Sequence, residues 1–158
     1  MTGSDKLIRD PLWETIRLDP TAVRIVDTAE FQRLRGIKQL GSASLVYPGA
    51  VHTRFEHSIG TLHVCDRLLE ACNKNASRDP AGCQKVSDEE RRILRAAALL
   101  HDVTHIPYGH NIEDQTGLLQ RHDLPQRFEV VLGDTELGAE LDRQGLRNDV
   151  LSVLAAKG

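Results

Sequence analysis

The sequence predicts an all-α domain opened by a short extended or hairpin-like segment. Three observations carry that prediction. Aromatic residues are 4% of the chain and apolar residues 40%, so the core is drawn mainly from Leu, Ile, Val and Ala, a mixture that favours helices. Apolar residues recur at helical steps, with Phe55, Ile59, Leu62, Cys65, Leu69 and Cys72 on one stripe. Ser87-Asp88-Glu89-Glu90 has the form of a capping box, which announces a helix through Ile93, Leu94, Ala97, Ala98 and Leu100 to His101.

Taken in order, residues 9–18 are mixed in pattern and bracketed by Pro11 and Pro20, which marks the extended or hairpin-like opening. From Thr21 the period becomes helical, through Val23 and Val26 and then Phe31, Leu34, Ile37 and Leu40. A short helix followed by a longer one is expected, with Thr28 capping the second and Gly41 ending it. A loop punctuated by Pro48-Gly49 leads to the amphipathic helix over 54–72. Residues 73–86, polar and containing Asp79-Pro80 and Gly82, are expected to be a surface loop. Beyond the central helix, Leu124-Pro125 opens another through Phe128, Val131 and Leu132, and weaker patterns cover 137–141 and 150–154. No internal repeat or low-complexity tract interrupts what reads as a single domain over 1–158.

A chain of 158 residues is long enough to bury a core. Its formal net charge is -3, with basic residues dispersed among acidic ones, so no footprint for duplex nucleic acid is present. No run reaches the length of a bilayer span, and the first six residues hold no apolar signal core, so a cytoplasmic protein without membrane contact is expected. Cys65, Cys72 and Cys83 lack paired ligand spacing and read as reduced packing residues.

Chemistry concentrates in HDVTHIPYGH at 101–110, where an apolar helix delivers His101 and Asp102 and a short loop adds His105 and His110. Imidazole and carboxylate bind borderline divalent metals and move protons near neutral pH. His57 lies on a separate helix 44 residues earlier. If the two helices pack side by side, His57, His101 and Asp102 meet at one ion. That mixed set suits Mn, Fe, Ni, Co or Zn, with Mg also admissible, and leaves positions open for water and a phosphate oxygen. Glu113 stands three residues after His110, on the same face of a helix, where its carboxylate can orient that imidazole.

Three ordered motifs, DTAEFQRLRGIKQLG at 27–41, PGAVHTRFEHSIG at 48–60 and the stretch from His101 to His110, resemble those of the HD-domain phosphohydrolases. The similarity is greatest to the deoxynucleoside triphosphate triphosphohydrolases. The resemblance implies an HD-domain helical bundle and assigns the metal to His57, His101 and Asp102. It implies roles beyond the metal for His105, His110 and Glu113, a phosphate grip for Arg54, a sugar or base contact for Gln39, and a pocket position for His122. Gln32 and Arg35 match positions that serve a regulatory nucleotide in some relatives. A further aspartate ligand comes from a later helix in the family, and the tail 138–158 resembles the helices before it. These residues are therefore expected to form the first part of a longer domain, with Asp149 an exposed helix residue.

The function so implied is hydrolysis of a nucleotide, foremost a deoxynucleoside triphosphate, by attack at the phosphorus nearest the sugar to give nucleoside and triphosphate. A nucleotide substrate and a homo-oligomer are the expected partners. The alternatives are the same fold acting on a monophosphate or phosphodiester, and a non-catalytic nucleotide-binding module. Thr104 and Ile106 stand where the triphosphohydrolases usually have smaller residues, and a bulkier Ile106 is expected to narrow the phosphate passage.

Overall fold

The computed structural model describes residues 4–114 and 119–156. The opening segment is an antiparallel hairpin of β1 (Lys6–Asp10) and β2 (Glu14–Leu18), paired Lys6 to Leu18, Ile8 to Ile16 and Asp10 to Glu14. Asp10 makes its turn, the Oδ1 atom accepting from the backbone N–H groups of Leu12 and Trp13 at 2.8 and 2.9 Å. The alternation of β2 turns Ile16 and Leu18 into the core. Everything after the hairpin is helical or irregular among the described residues, as the composition predicts.

Helix α1 (Pro20–Val26) starts with proline in its first turn and with Asp19 as cap, whose side chain accepts from Ala22 N at 2.8 Å. The longer helix expected next does not form. Instead α2 (Ala29–Gln32) tightens into a 3-10 turn over Arg33–Gly36, and Ile37 is extended. Backbone pairing with a later segment is the reason. Arg54 N donates to Ile37 O at 2.8 Å, Gln39 N donates to His52 O at 3.0 Å, and Lys38 faces Thr53 in an isolated bridge. Gly41, at φ +55°, opens a further 3-10 turn over Gly41–Leu45 rather than closing a helix.

Helix α3 (Arg54–Arg78) begins where expected, under a capping box formed by Thr53 and Glu56. It ends later than the pattern suggested, because 73–78 are helical and the surface connection occupies only 79–87. Polarity misled here. Residues 73–78 continue the helix past its apolar stripe with only Ala76 buried among them, and Asn73 ties the far side of the connection by bonding Val86 N and Val86 O at 2.7 and 3.2 Å.

Helix α4 (Asp88–Leu100) is capped by Ser87 and Glu90 as its sequence announces. It packs along α3, with Ala96 and Ala97 buried, and small side chains let the two backbones approach. The short α5 (His110–Glu113) follows the histidine-bearing loop, then α6 (Pro125–Val131), α7 (Glu136–Arg143) and α8 (Arg147–Ala155) close the far side. One buried apolar cluster joins them, with Phe31, Leu34, Phe55, Leu99, Leu100, Val103, Leu137 and Val150 among its members. Of the cysteines only Cys65 is even half-buried; Cys72 and Cys83 are exposed, so packing accounts for one of the three.

Candidate active site

Side-by-side packing of α3 and α4 brings three donors to one place. His57 projects from the first turns of α3, His101 caps the end of α4, and Asp102 follows it. The Nε2 atoms of His57 and His101 are 3.1 Å apart. Asp102 lies beside both, Oδ2 at 3.7 Å from His57 Nε2 and Oδ1 at 3.5 Å from His101 Nε2. His101 Nδ1 stands 2.8 Å from Ala98 O, a contact that places its proton on Nδ1 and leaves Nε2 as a lone pair. Facing imidazole nitrogens beside a carboxylate, all within 4.8 Å of one another, suit a divalent ion. Two nitrogens bound at about 2.1 Å and at right angles would be separated by about 3 Å. The residues present fit the metal that the sequence implied.

Electrostatics support the same use. Burial opposes ionisation of Asp102, but its hydrogen bond with His105 and the electrostatic pull of the neighbouring imidazoles and the Arg54 guanidinium outweigh that and hold its carboxyl well below the usual range. Burial pushes the His57 imidazole down against the pull of Asp102. A neutral imidazole and an ionised carboxylate are the forms that ligate metal.

Arg54, at the start of α3, is buried and meets Asp102 Oδ2 through Nη1 at 2.6 Å. Its Nε has no partner among the described residues, so the fork retains donors for an anion. The loop wraps tightly around it. A Cβ on Gly109, whose φ is +36°, would stand 3.0 Å from Arg54 Nη2 and 3.1 Å from His105 Nδ1; Tyr108 before it also has positive φ, at 67°.

A second imidazole group adjoins the first. His105 is buried and links the two, with Nε2 3.4 Å from Asp102 Oδ1 and its ring stacked on His122 at 3.6 Å between centroids. Burial lowers the His105 value, partly offset by Asp102. His110, His105 and His122 form a cluster. The expected pairing of His110 with Glu113 takes a different form, since Glu113 Oε2 lies 2.8 Å from His122 Nδ1 and 3.9 Å from His110 Nδ1. Helical spacing brought His110 near the carboxylate, but the return of the chain at His122 supplies the closer partner. Burial disfavours the Glu113 charge, yet the bond to His122 holds its value below the ordinary one.

Gln39 is half-buried beside the strand-like contact that starts α3, with Oε1 unpartnered. Gln32 and Arg35 are joined at 2.8 Å, and the Arg35 guanidinium lies 3.6 Å over the Phe55 ring. Asp149 is exposed on α8 and outside the metal-capable groups of the described residues. Thr104 is buried and donates to His122 O at 2.6 Å. Ile106 borders a cavity with Arg33 and Arg127 in which none of the clustered histidines takes part.

Two arginines escaped the sequence reading. Arg33 donates from Nη1 to His105 O at 2.6 Å and from Nη2 to Val103 O at 2.5 Å, while Arg127 Nη2 donates to Thr104 O at 2.8 Å. Together they fix the turn that carries Asp102 and His105. Arg33 sits inside the first motif, but its partners are carbonyls, which leave no mark in a side-chain pattern.

The sequence is similar to that of known proteins. The model of the HD domain matches residues 54–157. A Bacillus subtilis protein, YwfO, is 36% identical over 156 residues, covering 97% of this chain and 34% of its own length. The Methanocaldococcus jannaschii protein MJ1154 is 42% identical over 108 residues, 68% of this chain and 21% of that one. Human deoxynucleoside triphosphate triphosphohydrolase SAMHD1 is 41% identical over 105 residues, 66% of this chain and 16% of its own. The chain thus spans between about a sixth and a third of the length of these relatives. No helix among the described residues is long and apolar enough to cross a membrane. With its motifs, its helical bundle and its clustered histidines and aspartate, the chain belongs to the HD-domain family.

Proposed function

We propose that this chain carries the metal and phosphate sites of a nucleotide phosphohydrolase, with deoxynucleoside triphosphates as substrate and nucleoside and triphosphate as products. The observation that carries the proposal is the adjacency of the His57, His101 and Asp102 donors to the buried Arg54 fork, 2.6 Å from Asp102. Similarity to a relative named deoxynucleoside triphosphate triphosphohydrolase supports the choice of substrate.

A divalent ion held by His57, His101 and Asp102 supplies Lewis acidity toward a phosphoryl group and acidifies water. The chain's own groups do the rest. Arg54 binds phosphate oxygens through the donors that Asp102 leaves free, and its fixed charge stabilises negative charge that develops there. Glu113 holds the Nδ1 proton of His122 and so sets that ring's tautomer. His110, exposed at the rim of the cluster, gives a proton to the departing oxygen. His105 stays buried between the two groups and positions Asp102. Gln39, whose backbone pairs with His52 just before α3, meets the sugar or base. A homo-oligomer completes the proposal on the resemblance alone, and sedimentation tests it.

The deciding experiment is product analysis by ion chromatography after incubating the chain with each deoxynucleoside triphosphate and Mn²⁺. Tripolyphosphate that disappears with chelator and with His101→Ala is the expected result. Release of orthophosphate alone, or turnover only from a monophosphate or phosphodiester, overturns the substrate assignment. Nucleotide binding with no turnover above that of His101→Ala would make the site a binding module.

A further inference from the structure

Beside the turn that carries Asp102 and His105 lies a cavity of about 430 Å³, whose lining includes Arg33 and Arg127 and the apolar Ile106, Val130 and Val131. None of the metal-site or clustered histidine residues lines it. Its charge is unbalanced. Neither arginine forms an ion pair with a carboxylate among the described residues, although other guanidiniums on the molecule commonly do. Among the described residues the one carboxylate on the rim, Glu30, accepts from Leu137 N at 3.1 Å through Oε2. Two guanidiniums against one carboxylate leave the cavity positive by one charge.

The two cations also act on each other. Partial burial and the neighbouring Arg127 both lower the Arg33 value, against a smaller opposing pull from Glu30. Like charges held near each other without a counterion repel, and an anion between them removes that cost. Three carbonyl contacts, from Val103, Thr104 and His105, use only a part of the ten N–H donors that two guanidiniums carry. The remaining donors have the planar geometry that suits phosphate oxygens.

We infer that this cavity binds an organic phosphate, the phosphate on Arg33 and Arg127 and a small apolar body against Ile106, Val130 and Val131. The volume lies in the range of small-molecule sites and exceeds what a bare phosphate fills. Val130 is 73% exposed, an apolar side chain at the mouth that such a body would cover. Because the same guanidiniums hold the carbonyls of 103–105, occupancy bears directly on the turn that delivers Asp102. That bearing on catalysis rests on the function proposed above; the binding itself does not.

The test is NMR of the arginine Nε–Hε groups in the metal-free chain, with Arg33 and Arg127 assigned through R33K and R127K. The probes are inorganic phosphate and phenylphosphonate, which has no ester bond to hydrolyse. The two resonances are expected to shift together and saturably, with phenylphosphonate needing at least about fivefold less than phosphate because its ring buries apolar surface. Val130→Asp, an exposed substitution that leaves the carbonyl contacts in place, puts a carboxylate at the mouth and is expected to raise the half-saturating concentration at least about tenfold. Non-saturating shifts, shifts confined to Arg54, or saturation that Val130→Asp leaves unchanged would overturn the inference. Turnover plays no part in these readouts, so failure of the phosphohydrolase reading would register separately, in product analysis.

Discussion

Arg54 Nη1 and Asp102 Oδ2 are 2.6 Å apart with both side chains almost wholly buried, so a cation from the start of α3 and an anion from the end of α4 neutralise each other inside the protein. Such a pair is fragile to the loss of one member, because the survivor stays buried and uncompensated. Arg54→Ala is expected to lower the stability of the metal-free chain by about 3–5 kcal/mol in chemical denaturation. Arg54→Lys keeps the charge but not the fork, so it should retain most of the stability and lose phosphate binding.

Gly109 tests how tightly the loop is drawn over that pair. With φ at +36° and a Cβ position 3.0 Å from Arg54 Nη2, Gly109→Ala is expected to cost about 1–3 kcal/mol and to depress turnover as Arg54 and His105 are pushed aside. Gly36→Ala is the control. It has open space around its Cβ position and should change stability by no more than about 0.5 kcal/mol. Thermal melts and steady-state kinetics on the two variants make the comparison.

The closeness of Glu113 to His122 rather than His110 has a kinetic consequence. Glu113→Gln and His122→Asn should each reduce turnover, and the double variant should be little worse than either, a coupling of about 1–3 kcal/mol in a double-mutant cycle. His110→Asn should combine with Glu113→Gln nearly additively. Equal coupling of Glu113 to both histidines would contradict the assignment.

Much of this site could be read in the sequence, and the reason is its local character. His101, Asp102, His105 and His110 lie within ten residues, and the amphipathic stripe of 54–72 fixed the helix that carries His57. The capping boxes marked the starts of α3 and α4 because they are contacts over three residues. What failed was set by distant backbone. The contacts of Ile37 with Arg54 and of Gln39 with His52 break a helix that the apolar period alone would continue. His122 reaches Glu113 across a connection whose length no period reports, and Arg33 finds carbonyls 70 and 72 residues away.

Acid stability offers a check outside the site. Glu140 is buried and bound by Arg24 Nε at 2.9 Å, Arg143 Nη2 at 2.5 Å and Gln144 Nε2 at 2.6 Å. Burial works against its charge, but the bonds from Gln144, Arg143 and Arg24 prevail and hold its value below the ordinary 4.5. Its contribution is therefore complete above pH 4.5 and lost as pH falls through the depressed folded value. Glu140→Gln should cost about 1.5–3 kcal/mol at pH 7. Urea titrations from pH 7 to pH 3 should show the gap between wild type and variant shrinking below about pH 4.5.

The most direct measurement is a Co²⁺ or Mn²⁺ titration of the metal-free chain by calorimetry, repeated on His101→Ala. The account predicts saturable binding near one ion per chain, weakened by at least about tenfold in the variant, since one of three donors and its Ala98 anchor are gone. Equal affinity in the two proteins, or no saturable binding in either, would contradict a metal centre at His57, His101 and Asp102.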